Sequence, residues 1–331
     1  MPGLTQAKSL NVFDTDEWLD AWSRSTVERY GKQDLCKPPL YLTEYSPFWH
    51  GYEIDLEIEP VWDRPVLTLG SVYAVFGPSY LAESADAVGR TVDEALELSR
   101  EVGSGGFLVF NLSEDAARRW AATREPDARV RLDLAYHRCP GTGQDPVMGD
   151  VSTHVRTEWR RRWRRATEKG LRLVEESSPS VERIDEVLAL ANGSAIRHDW
   201  PQLYDRTTAS AVLAMPGSRL IRADWHGRTV AGFVALEHGN QLHLWAGGMD
   251  HEVVREVSPY LFLLHELLAM GRERGWERIE FGRGNDEFKR RYGFTGVELW
   301  SLWYAADPAD AAVRVPRLAA LHEGLARCQG L

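Results

Sequence analysis

Residues Ile279–Tyr304 read IEFGRGNDEFKRRYGFTGVELWSLWY. The apolar start is strand-like. Gly282 and Gly284 flank Arg283 and allow a tight turn at its end. Asn285 or Asp286 can cap a short amphipathic helix running to Tyr292, and Gly293 stops it. The remaining residues alternate as a closing strand.

Working upstream, the spacing predicts a helix over Pro259–Gly275 and a strand over Glu277–Phe281. Before them, SRLIRADWHGRTVAGFVALEHGNQLHLWAGGM predicts three strands joined at His226-Gly227 and Gly239-Asn240. Helices over 181–192 and 204–215 and a strand over 171–175 complete a second half that starts with a basic helix. The turn Gly141–Asp150 separates it from a first half. There the sequence predicts a helix near 15–30 capped by Asp14 or Thr15, then strands over 40–44, 52–58 and 66–75. A helix over 92–101, a strand over 106–111, a helix over 114–123 and a strand over 130–136 follow. The expected class is α/β (α+β), with domains over 1–145 and 150–306 and a helical extension over 307–331.

This order of elements resembles a GNAT-type acyltransferase domain in the second half and, more loosely, in the first. Phe288-Lys-Arg-Arg-Tyr292-Gly293-Phe294 resembles the GNAT aromatic-Tyr-x-x-x-Gly-Phe element, with Lys289 where the leaving-group tyrosine stands. A Phe-Lys pair there resembles the Fem family of aminoacyl-tRNA-dependent transferases, as does YAVFGPSY at Tyr73–Tyr80. The family's helical-hairpin arm has no counterpart. The resemblance implies two tandem GNAT-like domains, each a mixed sheet flanked by helices. It also implies a catalytic role for Lys289 with Phe288 as a wall of the site.

CoA-dependent GNAT enzymes grip pyrophosphate through a Gln/Arg-x-x-Gly-x-Gly/Ala loop, whose glycines let the amides approach the anion. Arg255–Tyr260 holds neither glycine, and Pro259 lacks an amide proton. Aminoacyl-tRNA is then the expected donor, with no cofactor. Lys289 can stabilise an oxyanion or protonate the departing hydroxyl, although it also fits a solvated helix face. Asp286 can cap the helix and orient an incoming ammonium. Arg283, Asn285, Tyr292, Trp200 and Tyr204 are candidates for substrate contact, and His198 for a general base.

The chain carries a net charge of −10, against general nucleic-acid binding and against DNA as a partner. Yet RTEWRRRWRRATEKGLR, Arg156–Arg172, concentrates positive charge, and Trp159 and Trp163 mark its buried face. Arg160, Arg161, Arg164 and Arg165 can meet tRNA phosphates or form a solvated linker surface. Cys36, Cys139 and Cys328 have neither metal nor disulfide spacing, and no metal site is expected. Apolar residues form 44% of the chain, yet no run reaches the roughly 18 residues of a membrane span. The N-terminus lacks a basic region followed by an apolar block, so a cytoplasmic protein is expected.

The expected reaction moves an aminoacyl group from tRNA to the amine of a small peptide or peptide-like acceptor, in a natural-product or cell-wall pathway. The rivals are a CoA-dependent N-acyltransferase, with acetyl-CoA as donor, and a non-catalytic binding protein of the same fold.

Overall fold

A computed structural model describes residues 11–27, 29–31, 40–141, 145 and 147–329. The first ten residues, on which the leader reading rests, and Cys36 lie outside them, as do 142–144 and 146 of the expected interdomain turn. The chain runs α1 (Asp16–Trp22), β1 (Arg29–Gly31), β2 (Leu40–Tyr45), α2 (Pro47–Leu56), β3 (Val66–Leu69), α3 (Ala85–Glu101), β4 (Gly106–Ser113), α4 (Glu114–Thr123) and β5 (Ala128–Arg138). Then come α5 (Thr153–Glu168), β6 (Arg172–Glu176), α6 (Val181–Ile196), α7 (Arg206–Leu213), β7 (Ser218–Trp225), β8 (Arg228–His238) and β9 (Gln241–Met249). It closes with α8 (Val254–Val257), α9 (Pro259–Arg274), β10 (Arg278–Glu280), α10 (Asp286–Arg291), β11 (Thr295–Ala305) and α11 (Pro308–Cys328).

Two compact units form. The first takes in the described residues of Met1–Asp20, Thr26–Leu134 and Val297–Leu331, the second those of Ala21–Ser25 and Ala135–Gly296. This division differs from the linear scheme of the sequence, because a strand belongs where it pairs. β11 follows the second unit's last helix in the chain, yet it pairs antiparallel with β4.

In the first unit the strands run β1-β2-β3-β4-β11-β5. β3 and β4 are parallel, joined by α3, whose Val88, Val92, Ala95 and Leu96 are buried at helical spacing. Parallel strands covered by helices read as unbroken apolar runs, and every residue of β4 before Ser113 is buried. Ala74–Gly77 packs on this strand. Gly77 donates to Asn111 O (2.9 Å), while Asn111 Nδ2 donates to Ala74 O (2.6 Å). A Cβ on Gly77 would lie 1.9 Å from Phe110 O, so no other residue fits.

The strand expected over 52–58 is instead α2. Its YEIDLEI segment alternates like a strand, but Ser46-Pro47 starts a helix, and Trp49, Tyr52 and Glu53 share the buried face. Glu57 ends it in the left-handed region (φ 52°). The strand expected over 66–75 stops at Leu69 because Gly70 turns away at φ 75°.

In the second unit the order is β5-β10-β9-β8-β7-β6, with β5 present through its last residues. β6 to β9 are an antiparallel meander, β9 and β10 are parallel, and β10 is antiparallel to β5. α9 is the crossover between the parallel pair. It buries Leu261, Phe262, Leu263, Leu264, Leu267 and Leu268. No helix among the described residues is long and apolar enough to cross a membrane. No group of His, Cys, Asp or Glu among them could hold a metal ion.

Candidate active site

The second unit's central parallel strands come apart. β10 pairs with β9 only at Arg278↔Gln241, Ile279↔Leu242 and Glu280↔His243, after which β9 continues to Met249 paired only with β8. Beyond the last pair the chain turns through Gly282 (φ 65°), Arg283, Gly284 (φ 71°) and Asn285 (φ 58°) into α10. A fork between parallel strands exposes backbone on both arms, the usual place for a ligand in an α/β sheet.

β9 bulges just past the fork. Val234 faces Ala246 and Ala235 faces Leu244, leaving Trp245 as the extra residue. Its ring meets Tyr204 edge-on at 5.4 Å and Trp22 at 6.4 Å. Burial pushes the Tyr204 hydroxyl up to about 12, opposed by the nearby Arg283 guanidinium. The structure thus brings together Tyr204 and Arg283, two of the expected substrate-contact residues. α6 packs directly on the next part of β9: a Cβ on Gly248 would lie 2.2 Å from Leu190 O.

The turn before α9 decides what the fork can hold. It is wound into α8. The amides of Glu256 and Val257 donate to Val253 O (3.0 and 2.9 Å), and that of Ser258 to Val254 O (3.0 Å). Pro259 has no amide proton. Ser258 takes the N-cap place of α9 without a side-chain capping bond, since it sits at φ 44° with Oγ donating back to Val254 O (3.0 Å). Three of the amides that would cradle a diphosphate are therefore committed within the turn. Its outer side is tied to α5, where Arg165 donates to Arg255 O (2.9 Å) and Lys169 pairs with Glu256 (2.8 Å).

Lys289 is 2% exposed. Its Nζ donates to Phe281 O (3.0 Å), Gly282 O (3.0 Å) and Arg283 O (2.8 Å), and lies 5.1 Å from the Tyr136 ring centroid. The alternative of a solvated helix lysine does not hold, for the side chain clamps the glycine turn. All three ammonium protons are engaged, so proton delivery from Nζ requires one bond to open, whereas its charge is available without movement. Phe288 packs edge-on against Tyr260 (5.3 Å) and beside Tyr292 (4.5 Å), which meets Trp159 at 5.5 Å. Tyr292 is buried, and burial raises its hydroxyl above the usual tyrosine range. It backs Phe288 rather than presenting an open contact surface.

Asp286 stands at the first helical position of α10 and does not cap it; Asn285 holds the cap place without a side-chain bond. Asp286 Oδ1 is shielded from solvent and has no hydrogen-bond partner. His198 is exposed in the turn that ends α6, and Trp200 is half-buried beside it, its amide donating to Ala195 O (3.1 Å). The arginines divide. Arg160 pairs with Asp145 and Arg165 holds the α8 turn, whereas Arg161 and Arg164 are exposed with no ion pair to the described residues. Trp159 anchors the helix through Nε1 to Leu261 O (3.1 Å), and Trp163 through Nε1 to Glu266 (2.7 Å).

Residues 153–290 match the sequence family described as Acetyltransferase (GNAT) domain. Among solved structures, FemX aligns at a TM-score of 0.60 with 10% identity, covering 93% of this chain and 96% of FemX. The fold is Fem-like. L-PGS from Bacillus licheniformis aligns at a TM-score of 0.55 with 11% identity over 89% of this chain and 90% of its own. The C-terminal domain of a protein named as a lysylphosphatidylglycerol synthetase in Agrobacterium fabrum also reaches 0.55, with 12% identity over 96% and 93%. Comparison with curated protein sequences finds no match.

Within this Fem-like fold, Trp245 and Tyr260 were not singled out by the sequence. Trp245 had one local signal: the Gly-Gly pair after it marks a strand approached closely by another backbone. Tyr260 had none beyond its place in the first turn of α9.

Proposed function

We propose that this protein is an acyltransferase that moves an aminoacyl group from tRNA to the amine of a small peptide or peptide-like acceptor. The observation that carries this reading is the helical turn before α9, where the amides of Glu256, Val257 and Ser258 are already bonded. A CoA diphosphate would meet a turn with few free donors, whereas an aminoacyl ester needs no such cradle. In the reaction the acceptor nitrogen attacks the ester carbonyl, a C–N bond forms, and the bond to the ribose oxygen breaks. The proton lost by the amine ends on that oxygen.

Asp286 Oδ1 supplies an unused acceptor for the incoming ammonium. The Lys289 charge favours the developing oxyanion. Phe288 and Tyr260 exclude water, and Arg283, Asn285, Tyr204 and Trp200 contact the acceptor. His198 is the remaining candidate base. A natural-product or cell-wall precursor suits such an acceptor.

Purified protein mixed with charged tRNA or acetyl-CoA and a panel of amines should consume the charged tRNA. The GNAT family match favours acetyl-CoA as the second reading, and loss of acetyl-CoA with tRNA inert would establish it instead. Inertness to both donors would leave a binding role.

Exposed Arg161 and Arg164 are the phosphate contacts in this reading. Replacing both with Glu should weaken tRNA binding at least about tenfold at low salt. It should also flatten the plot of log affinity against log salt by about two contacts. An unchanged affinity and slope would remove the helix from the tRNA surface.

A further inference from the structure

The first unit holds a cavity of about 240 Å³ beneath α2, bounded by β2, β3 and β4. Its walls are aromatic: Tyr45, Trp49, Trp62 and Phe110. Trp49 lies 5.4 Å from the Trp62 ring and 5.9 Å from Phe110. Among the described residues its carboxylates are Glu44 and Glu53, with His50 beside Glu53 and no lysine or arginine.

Glu53 is 6% exposed and fully used: Oε1 accepts from Val61 N (2.8 Å), and Oε2 lies 3.1 Å from His50 Nδ1. The exposed Glu44 is therefore the carboxylate open to a ligand. Two further lining groups are unspent. Trp49 is 2% exposed, yet its indole Nε1 has no hydrogen-bond partner, and Ser46 Oγ is shielded from solvent and also has none.

These features agree on one chemistry. Aromatic faces attract a cation, and two carboxylates with no lysine or arginine among the described lining residues give this lining a negative potential that repels phosphates and carboxylates. An indole N–H can only donate, so leaving it buried and unpaired is costly until an acceptor arrives. We propose that this cavity binds a small organic ammonium ion carrying an uncharged oxygen acceptor. The cation would sit against Trp49 and Trp62 near Glu44, and the oxygen would take the Trp49 N–H and the Ser46 hydroxyl. The inference concerns the first unit alone and does not depend on the acyl donor.

Titration by calorimetry with four probes tests it. Choline carries both features, 3,3-dimethylbutan-1-ol lacks the charge, tetramethylammonium lacks the oxygen, and acetate reverses the charge. Choline should bind at least tenfold more tightly than either partial analogue, and acetate should not bind. Trp49→Phe should reduce choline to the level of tetramethylammonium. Should that variant fail to fold, the exposed Glu44→Gln should still weaken choline several-fold. Equal binding of choline and its neutral isostere, or no heat up to 50-fold above millimolar choline, would overturn the proposal.

To separate free amines from a peptide amine, a short peptide with a free N-terminus is compared with its acetylated form. Preference for the free form would identify a peptide source of the same ammonium chemistry. Equal weakness of both peptides beside tight choline would identify a free amine.

Discussion

Lys289→Met is expected to lower turnover by about two to three orders of magnitude, the scale seen when one electrostatic contributor to an oxyanion site is removed. It is also expected to cost about 3 kcal/mol of stability, because hydrogen bonds to a charged group and buried unpaired carbonyls each carry 1–3 kcal/mol. Both effects come from one geometry. The ammonium gathers the carbonyls of Phe281, Gly282 and Arg283 at the mouth of the strand fork, and methionine fills the volume without offering a proton. Two measurements keep the effects apart: the urea midpoint, and turnover at a temperature where the variant is fully folded. Near-native turnover in folded variant would leave Lys289 a structural clamp alone. Loss of turnover with an unshifted midpoint would contradict the clamp.

The strand–turn–helix–strand reading of Ile279–Tyr304 was available from the sequence because glycines and apolar alternation are local signals. The helix over 114–123 and the three-stranded meander were legible for the same reason. What could not be read is whatever depends on a distant partner. The YEIDLEI segment satisfies both strand and helix spacing, and the helix is favoured by the Ser46-Pro47 start and the burial of Trp49 and Tyr52. β11 belongs mainly to the first unit although the strand and helix before it belong to the second, a choice made by pairing with β4. At the site, the Phe288-Lys289 pair was visible as a motif. That Lys289 is buried on three carbonyls depends on Phe281–Arg283 folding back over it. The basic helix looked uniform as a string; Asp145 and the Arg255 carbonyl, outside the helix, decide which arginines are engaged within the protein.

The closed end of the fork carries a titratable row of two buried groups and one half-buried group. Glu280 faces His243 on β9 and His137 on β5, directly opposite in register, and pairs with Arg278 on its own strand. Burial pushes Glu280 up to about 7, with Arg278 and Lys289 acting the other way. The folded chain therefore keeps a proton that the unfolded chain gives up near 4.5. That contribution to stability is complete below 4.5 and is lost as pH rises through 7. Burial pushes His243 down to about 3 and His137 to about 4. The unfolded chain binds protons at those positions below about 6.5 that the folded chain refuses, so they destabilise in acid. Asp14 in the first unit, pushed up to about 8 by burial, runs in the same direction as Glu280. Two carboxyls thus oppose two imidazoles between pH 4.5 and 6.5, and these four groups leave stability nearly level there. Above 6.5 the imidazoles no longer titrate, and stability falls. Glu280→Gln removes one carboxyl and breaks the balance. Its stability should rise with pH from 4.5 to 6.5 by about 1.4 kcal/mol per unit, the slope of a single proton. Its gain over the wild-type protein should reach on the order of 3 kcal/mol by pH 8. Urea unfolding of both proteins at half-unit steps from pH 4.5 to 8.5 measures the difference directly, and Asp14, common to both, cancels. Parallel curves would mean that Glu280 ionises in the folded chain as it does in water, and that the row is not the closed, dry end of the fork.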